Sequence, residues 1–406
     1  MTDNKDLSRR QFMKLAGIAG PGSILLSANR SLAAGSADEK TRPAGQVPVR
    51  PFGKSGVQVS ILSLGGMFDI PSNQLLLKQA LKWGVTYWDT ADCYEGGNSE
   101  AGIGQFLKKY PETRKTIFLV SKSDRRDPKG LTELLDRSLQ RMNTDYIDLY
   151  FIHGVSKISE INRETQLWAE KAKARGKIKL FGFSTHSNME ELMLASSKLG
   201  WIDGLMVTYN FRLMQTDKMR SAVEACSKAG IGLTAMKTQG GGSVSVESEA
   251  ELEMAGRFLK LGFTDGQAKL KAIWENPQIA SICSQMPNMS LLMSNVAAAM
   301  DRTKISGADL DLLQKYAAQT STGYCAGCTS ICEPAINCDV PVGDILRYLM
   351  YYNSYGYTDR ARSFFGQIPP EIREGLATVD YSGAEALCPQ RLRIGRLMKD
   401  AAAILA

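Results

Sequence analysis

The chain has 406 residues, of which 44% are hydrophobic and 22% are charged, as in ordinary globular proteins. Its net charge of +7 is modest and gives no sign of nucleic-acid binding. No apolar run reaches the ~20 residues that are needed to cross a bilayer. The composition therefore argues against a nucleic-acid-binding protein and against a membrane-spanning one.

The amino terminus predicts export. Arg9 and Arg10 precede a weakly apolar stretch, Leu15 to Ser27, which is followed by small residues. This arrangement resembles a twin-arginine signal, so residues 1–34 are predicted to engage the twin-arginine export machinery and to be removed, leaving a periplasmic protein without a membrane span. A basic amphipathic helix at a cytosolic terminus is the alternative. Residues 35–47, rich in Gly, Ala, Ser and charge, are predicted to form a linker.

Short apolar segments alternate with segments of helical periodicity between residues 48 and 307. Strands are predicted near residues 59–64, 85–89, 116–121, 146–152, 178–183, 203–208, 231–236 and 279–284. Helices are predicted near residues 73–83, 99–109, 129–142, 158–174, 188–198, 216–229 and 289–300. Eight strands that alternate with helices are typical of a closed parallel barrel, so the region is predicted to be a (β/α)8 TIM barrel, an α/β fold.

Four polar side chains fall at or just after the ends of three successive predicted strands: Asp89, Tyr94, Lys122 and His153. In a parallel barrel the carboxyl ends of the strands meet on one face, where active sites lie. A lysine held by the aspartate would lower the tyrosine pKa from its usual ~10, so that Tyr94 could donate a proton near neutral pH. A neutral His153 would donate a hydrogen bond to the same oxygen. The alternative is that Asp89 caps a turn, Lys122 is a surface charge, and His153 is a core imidazole whose hydrogen bonds are satisfied.

Several short motifs resemble the aldo/keto reductase family over residues 48 to 300. They are Phe52–Gly56, Asp89–Tyr94, Ser99–Glu100, Ser121–Lys122, Asp148–His153 and Gly182–His186. The resemblance implies a (β/α)8 barrel in which the four polar side chains take the catalytic positions, with Tyr94 as the general acid. It also implies NAD(P)H as the hydride carrier and a small carbonyl or alcohol compound as the substrate.

The same resemblance implies a cofactor site along the later strand ends, formed by Gly66, Ser184, Asn210, Lys237 and Asn295. Family members that use the phosphorylated nicotinamide carry a basic residue after the eighth strand. Between Lys271 and Arg302 this chain has no Lys or Arg. A phosphate without a cation beside it loses much of its binding energy, so the choice between NADH and NADPH stays open.

The carboxyl-terminal region, residues 308–406, is predicted to be a small α-helical extension rich in cysteine. Its helices are predicted at Val342–Tyr352, Pro370–Leu376 and Arg391–Leu405. Three cysteines follow a C-x2-C-x3-C spacing and a fourth precedes a proline, which predicts a [4Fe-4S] site at Cys325, Cys328, Cys332 and Cys388. A subset of the family carries a similar ferredoxin-like tail.

Two alternatives to the cluster remain open. Four thiolates at this spacing also suit structural zinc, and disulfides are compatible with export to an oxidising compartment. Cys338 would be spare or would replace one of the four. The sequence therefore predicts an exported oxidoreductase that transfers hydride between a nicotinamide and a carbonyl or alcohol. The alternative is a barrel repurposed as an iron–sulfur binding or electron-transfer protein, with an electron-transfer partner and a vestigial reductase site.

Overall fold

The computed structural model describes residues 45–406, so the predicted export signal lies outside the described residues. A closed barrel of eight parallel strands forms the centre of the fold, in the order β10-β3-β4-β5-β6-β7-β8-β9, and confirms the predicted fold class. An antiparallel hairpin, β1–β2, precedes it. The strands are β1 Val49–Pro51, β2 Gln58–Ser60, β3 Leu62–Gly65, β4 Tyr87–Asp89, β5 Phe118–Ser123, β6 Ile147–Ile152, β7 Ile178–Thr185, β8 Gly204–Thr208, β9 Gly232–Met236 and β10 Ser281–Gln285.

The hairpin closes the amino-terminal end of the barrel. Phe52, between β1 and β2, is wholly buried against the first residues of two barrel strands, Gly204 and Gly232. A Cβ atom on Gly232 would lie 2.5 Å from the Phe52 ring, so only glycine leaves room for it. The single strand predicted over residues 59–64 is thus two strands, because the chain turns at Ile61 from the hairpin into the barrel.

Helices surround the barrel, and each contributes buried apolar residues to its hydrophobic core. Three of them, α7 (Glu249–Lys260), α8 (Asp265–Trp274) and α10 (Gly307–Gln319), were not predicted. The start of α8 does carry a signal, because Thr264 and Gln267 form a capping box. The helices of this part are α1 Gln74–Lys82, α2 Asn98–Lys109, α3 Pro128–Arg141, α4 Arg163–Ala174, α5 Met189–Ser196, α6 Asp217–Lys228, α7 Glu249–Lys260, α8 Asp265–Trp274, α9 Met289–Met300 and α10 Gly307–Gln319.

The carboxyl-terminal extension is helical, as predicted, and it has a hydrophobic core of its own between Ile336 and Leu405. Helix α10, which falls within the predicted extension, instead packs into the barrel core through Leu312 and Leu313, so the helices of the extension proper follow it. None of the helices within residues 45–406 combines the length and apolarity required to span a bilayer. The helices of the extension are α11 Thr329–Cys332, α12 Val342–Asn353, α13 Thr358–Phe365, α14 Pro370–Gly375, α15 Ser382–Leu387 and α16 Ile394–Ile404.

Candidate active site

A buried lysine joins three of the four predicted catalytic side chains. Asp89 ends β4, Lys122 lies in the adjacent strand β5, and Tyr94 follows β4 in a short 3-10 turn. Lys122 Nζ donates to Asp89 Oδ2 at 2.7 Å, to the Thr90 carbonyl at 2.7 Å and to Tyr94 Oη at 3.3 Å. Lys122 is 1% exposed and Asp89 2%. The ammonium is therefore held in one place by three oxygens.

The pKa of Tyr94 moves in the direction opposite to the prediction. Burial raises the pKa of the Tyr94 phenol well above its usual value, and the Asp89 carboxylate raises it further. Lys122 does not reverse this because its charge is balanced by Asp89 at 2.7 Å. Tyr94 is therefore a neutral phenol at pH 7, able to donate a proton and unable to accept one.

His153 follows β6, and its ring lies edge-on to the Tyr94 ring with 5.7 Å between the centroids. Its Nδ1 is 3.0 Å from Asp124 Oδ1. Burial lowers the pKa of His153, so the ring is neutral at pH 7. Because an ionised carboxylate only accepts, Nδ1 carries the ring proton and Nε2 is left as an acceptor. Donation from Nε2 to a carbonyl oxygen, as predicted for a neutral ring, would need the imidazolium form instead.

The polar atoms of the predicted cofactor residues mostly have partners within the chain. The Asn210 amide donates to Tyr324 Oη at 3.0 Å and to the Lys237 carbonyl at 3.2 Å, and it accepts from the Arg212 backbone N–H at 3.0 Å. Ser184 Oγ accepts from the Gly154 backbone N–H at 3.1 Å. A cofactor carboxamide oxygen would therefore bind the Asn210 Nδ2 by replacing the Tyr324 hydroxyl or the Lys237 carbonyl.

The other three predicted cofactor residues differ in accessibility. Asn295 is buried and donates to Ser284 Oγ at 3.0 Å. Gly66 is also buried, and a Cβ atom there would lie 2.7 Å from the Asp89 carbonyl oxygen. Lys237 is partly exposed and donates to Tyr351 Oη at 2.7 Å.

The extension covers the carboxyl-terminal face of the barrel. Arg360 of α13 forms an ion pair with Glu95, the residue after Tyr94, and also donates to the Met67 carbonyl at 3.2 Å. Arg360, Tyr324 and Tyr351 thus connect the extension to residues beside the predicted catalytic and cofactor groups. Arg360 contacts Glu95, Tyr324 contacts Asn210, and Tyr351 contacts Lys237. The sequence reasoning missed these contacts, although the tyrosine-rich run at residues 348–357 was a signal that could have directed attention to them.

Four of the cysteines in the extension converge. Burial raises the pKa of Cys325 to about 12, and the neighbouring thiols of Cys328, Cys332 and Cys388 add to the rise. Burial also raises the pKa of Cys332 to about 12, with contributions from Cys328 and Cys388. All eight cysteines, which lie within the described residues, are free thiols, and Cys338 is exposed. The convergent thiols are the predicted cluster ligands.

Residues 62–285 match the model of the aldo/keto reductase family. The chain belongs to this family. It is 24% identical over 301 residues to the uncharacterized oxidoreductase YqkF of Bacillus subtilis, a match that covers 66% of this chain and 96% of the relative. The family match ends before the cysteine-rich extension begins.

Two solved structures of aldo-keto reductases are similar in fold. The thermostable enzyme Tm1743, in complex with the inhibitor epalrestat, superposes with a TM-score of 0.56 at 26% identity over 66% of this chain and 98% of the other. The holo form of a Bacillus halodurans aldo-keto reductase gives a TM-score of 0.55 at 22% identity over 66% and 96%. The barrel is thus common to all three proteins, while about a third of this chain lies outside either superposition.

We expect the substitution Tyr324→Phe to tighten nicotinamide binding by about 5-fold, the value of one modest hydrogen bond. In the wild-type protein a carboxamide oxygen would compete with the Tyr324 hydroxyl for the Asn210 amide, whereas in the variant it would not. Dissociation constants for NADH and NADPH from fluorescence titration provide the measurement. Tyr316→Phe is the matched control, because the Tyr316 hydroxyl contacts only Glu251 at 3.4 Å. Equal constants for Tyr324→Phe and wild type would show that Asn210 does not hold the amide.

Proposed function

We propose that this aldo/keto reductase family member is an exported, NAD(P)H-dependent reductase of small carbonyl compounds. The observation that carries the proposal is the position of Lys122 Nζ between the Asp89 carboxylate and the Tyr94 hydroxyl. A nicotinamide fits the residues present, because one partner of the Asn210 amide is the Tyr324 hydroxyl, which a carboxamide oxygen can replace. When bound, the reduced nicotinamide supplies the hydride, which no protein side chain can supply.

Tyr94 is the proton donor in this reaction. Its hydroxyl proton passes to the carbonyl oxygen as hydride reaches the carbonyl carbon, so the product is an alcohol and Tyr94 is left as a phenolate. Lys122, 3.3 Å away, stabilises that phenolate until solvent returns the proton. Asp89 keeps Lys122 in place through their ion pair. The His153 ring, edge-on to the Tyr94 ring, positions the carbonyl group of the substrate by contact.

The alternative function is iron–sulfur binding or electron transfer with a vestigial reductase site. One observation favours it: the Asn210 amide, a predicted cofactor contact, is hydrogen-bonded to the Tyr324 hydroxyl. The two functions make different demands on Tyr94, because proton donation is essential to carbonyl reduction and irrelevant to electron transfer.

We further propose that Cys325, Cys328, Cys332 and Cys388 hold one [4Fe-4S] cluster, which would carry single electrons when bound. The support is the convergence of four thiols from two separate segments, without a disulfide among the described cysteines. As bare thiols, Cys325 and Cys332 have pKa values of about 12 and stay protonated at pH 7. Bound metal would displace those protons, because thiolates are the ligands.

The substitution Tyr94→Phe should reduce kcat/KM for aldehyde reduction by about 10²- to 10⁴-fold, the usual contribution of a general acid. Steady-state oxidation of NADH or NADPH with a panel of small aldehydes measures it. Tyr110→Phe, which removes a hydroxyl outside the barrel mouth, is the control. Unchanged turnover in Tyr94→Phe would favour the vestigial-site alternative.

The raised pKa of Tyr94 also predicts how the two directions of the reaction depend on pH. Reduction needs the protonated phenol, which persists above the ordinary tyrosine pKa of ~10, so Tyr94 should cause no loss of reduction rate between pH 7 and 9. Oxidation of an alcohol needs the phenolate, so its rate should rise with pH across that interval. Profiles of kcat/KM in both directions test this. An oxidation rate that levels off near pH 7 would contradict a raised pKa.

We expect protein purified without oxygen to contain about four iron atoms per chain and to absorb broadly near ~400 nm. Cys328→Ser should abolish both signals because the cluster needs all four thiolates. Cys338→Ser is the matched control and should retain them. Stoichiometric zinc in place of iron, or thiols that resist alkylation until they are reduced, would support the zinc or the disulfide interpretation instead.

Export is expected to depend on the twin arginine of the amino terminus. Replacing both Arg9 and Arg10 by Lys should retain the protein in the cytoplasm, whereas Lys14→Arg should leave export intact. Fractionation of a bacterial host followed by immunoblotting gives the readout. Equal periplasmic recovery of the double variant and wild type would rule out the twin-arginine route.

A further inference from the structure

Three side chains that commonly ligate metals meet at the ends of successive barrel strands. Cys93 lies in the loop after β4, Asp124 directly follows β5, and His153 directly follows β6. Because the last residues of β5 and β6 pair in register, the residues that follow them, Asp124 and His153, emerge side by side. One thiol, one carboxylate and one imidazole are thereby brought together at the mouth of the barrel.

The distances among these side chains are those of a metal-binding set. Cys93 Sγ is 3.6 Å from His153 Nδ1, and His153 Nδ1 is 3.0 Å from Asp124 Oδ1. The three ligand atoms all lie within 4.8 Å of one another. Tetrahedral zinc, with Zn–S of ~2.3 Å and Zn–N and Zn–O of ~2.1 Å, separates its ligand atoms by about 3.4–3.6 Å. The side chains thus already stand close to the spacing that one zinc ion would impose.

The types of ligand atom select zinc over magnesium and calcium. Magnesium and calcium prefer oxygen ligands, whereas zinc is bound by thiolate, imidazole and carboxylate alike. Three protein ligands leave the fourth tetrahedral position to solvent, as in other open zinc sites. Cys93 and Asp124 are exposed and His153 is partly buried, so a zinc ion can enter directly from solvent.

The charges around the three side chains also suit a divalent cation. The thiolate and the carboxylate would together balance the two positive charges of zinc. Lys122, the buried ammonium of the active site, is held by Asp89 at 2.7 Å. Arg126, which donates to the His153 carbonyl at 2.9 Å, is paired with Glu160 at 2.6 Å. Both neighbouring cations therefore already have a carboxylate partner and do not compete for the zinc ligands.

Zinc on Nδ1 would change the hydrogen-bonding role of His153. Without metal, Nδ1 carries the ring proton beside Asp124 and leaves Nε2 as an acceptor. A neutral imidazole that binds metal through Nδ1 carries its proton on Nε2 instead. Nε2 then donates without any need for the imidazolium form. The metal would therefore provide the hydrogen-bond donor that the metal-free neutral ring lacks.

We propose that Cys93, Asp124 and His153 bind one zinc ion, which fixes His153 as a donor from Nε2. Binding releases the thiol proton of Cys93 to solvent, and the proton on Nδ1 is exchanged through solvent for one on Nε2. The site itself depends only on the three side chains and their geometry. Its consequence for catalysis rests on the proposed reductase function, in which Nε2 would donate to the carbonyl oxygen that Tyr94 protonates.

The chain contains two histidines, so histidine-selective nitrogen-15 labelling distinguishes His153 from His186. In the two-dimensional proton–nitrogen spectrum of the untagged protein, we expect zinc to remove the proton from Nδ1 of His153 and to place one on Nε2. Cys93→Ala and Asp124→Asn should each need at least ~100-fold more free zinc for this change, because loss of a ligand costs no less than loss of an outer-shell partner. Cys338→Ser, which removes another exposed thiol, is the matched control and should respond as wild type does.

A wild-type His153 that keeps its Nδ1 proton at saturating zinc would overturn the site, even if the four convergent cysteines of the extension take up metal. A Cys93→Ala variant that responds at the wild-type zinc concentration, or an equal response of wild type to magnesium, would overturn it as well. Unchanged His186 signals before zinc is added verify that each variant folds. A normal zinc response in a protein that reduces no aldehyde would support the site and reject the reductase function.

Discussion

The buried ammonium of Lys122 is the constraint on which the rest of the active site depends. A charge at 1% exposure is tolerated only if oxygens surround it, and Asp89, the Thr90 carbonyl and Tyr94 fulfil this requirement. Asp89 and Lys122 come from β4 and β5, which are neighbours only because the strands pair in sequence order around the barrel. The pairing of β4 with β5 therefore sets the position of the proposed proton donor, Tyr94, relative to Lys122.

The extension adds a second layer of constraints at the same face. Its contacts to Glu95, Asn210 and Lys237 all reach residues beside the catalytic groups or the predicted cofactor groove. Each contact is a polar bond between the barrel and the carboxyl-terminal region of the chain. The carboxyl-terminal extension thus forms part of the wall of the site, and the family barrel alone does not describe the pocket.

The barrel could be predicted from the sequence because its strands are buried on both faces and read as short apolar runs. The gathering of Asp89, Tyr94 and Lys122 followed from the convergence of strand ends. The helices of residues 249–274 were missed, since exposed apolar residues such as Leu252 and Leu259 blur their periodicity.

Other features depend on tertiary structure that no local pattern reveals. The direction of the Tyr94 pKa shift was predicted wrongly because the depth of burial is a property of the folded chain. The bonds of Tyr324 and Tyr351 to the barrel each join residues 114 positions apart. Tyr324 is also the immediate neighbour of Cys325. If a ligand that displaces the Tyr324 hydroxyl from Asn210 also shifts the backbone next to Cys325, ligand binding at Asn210 and the geometry of the four cysteines are thermodynamically linked, and each alters the affinity of the other by the same factor.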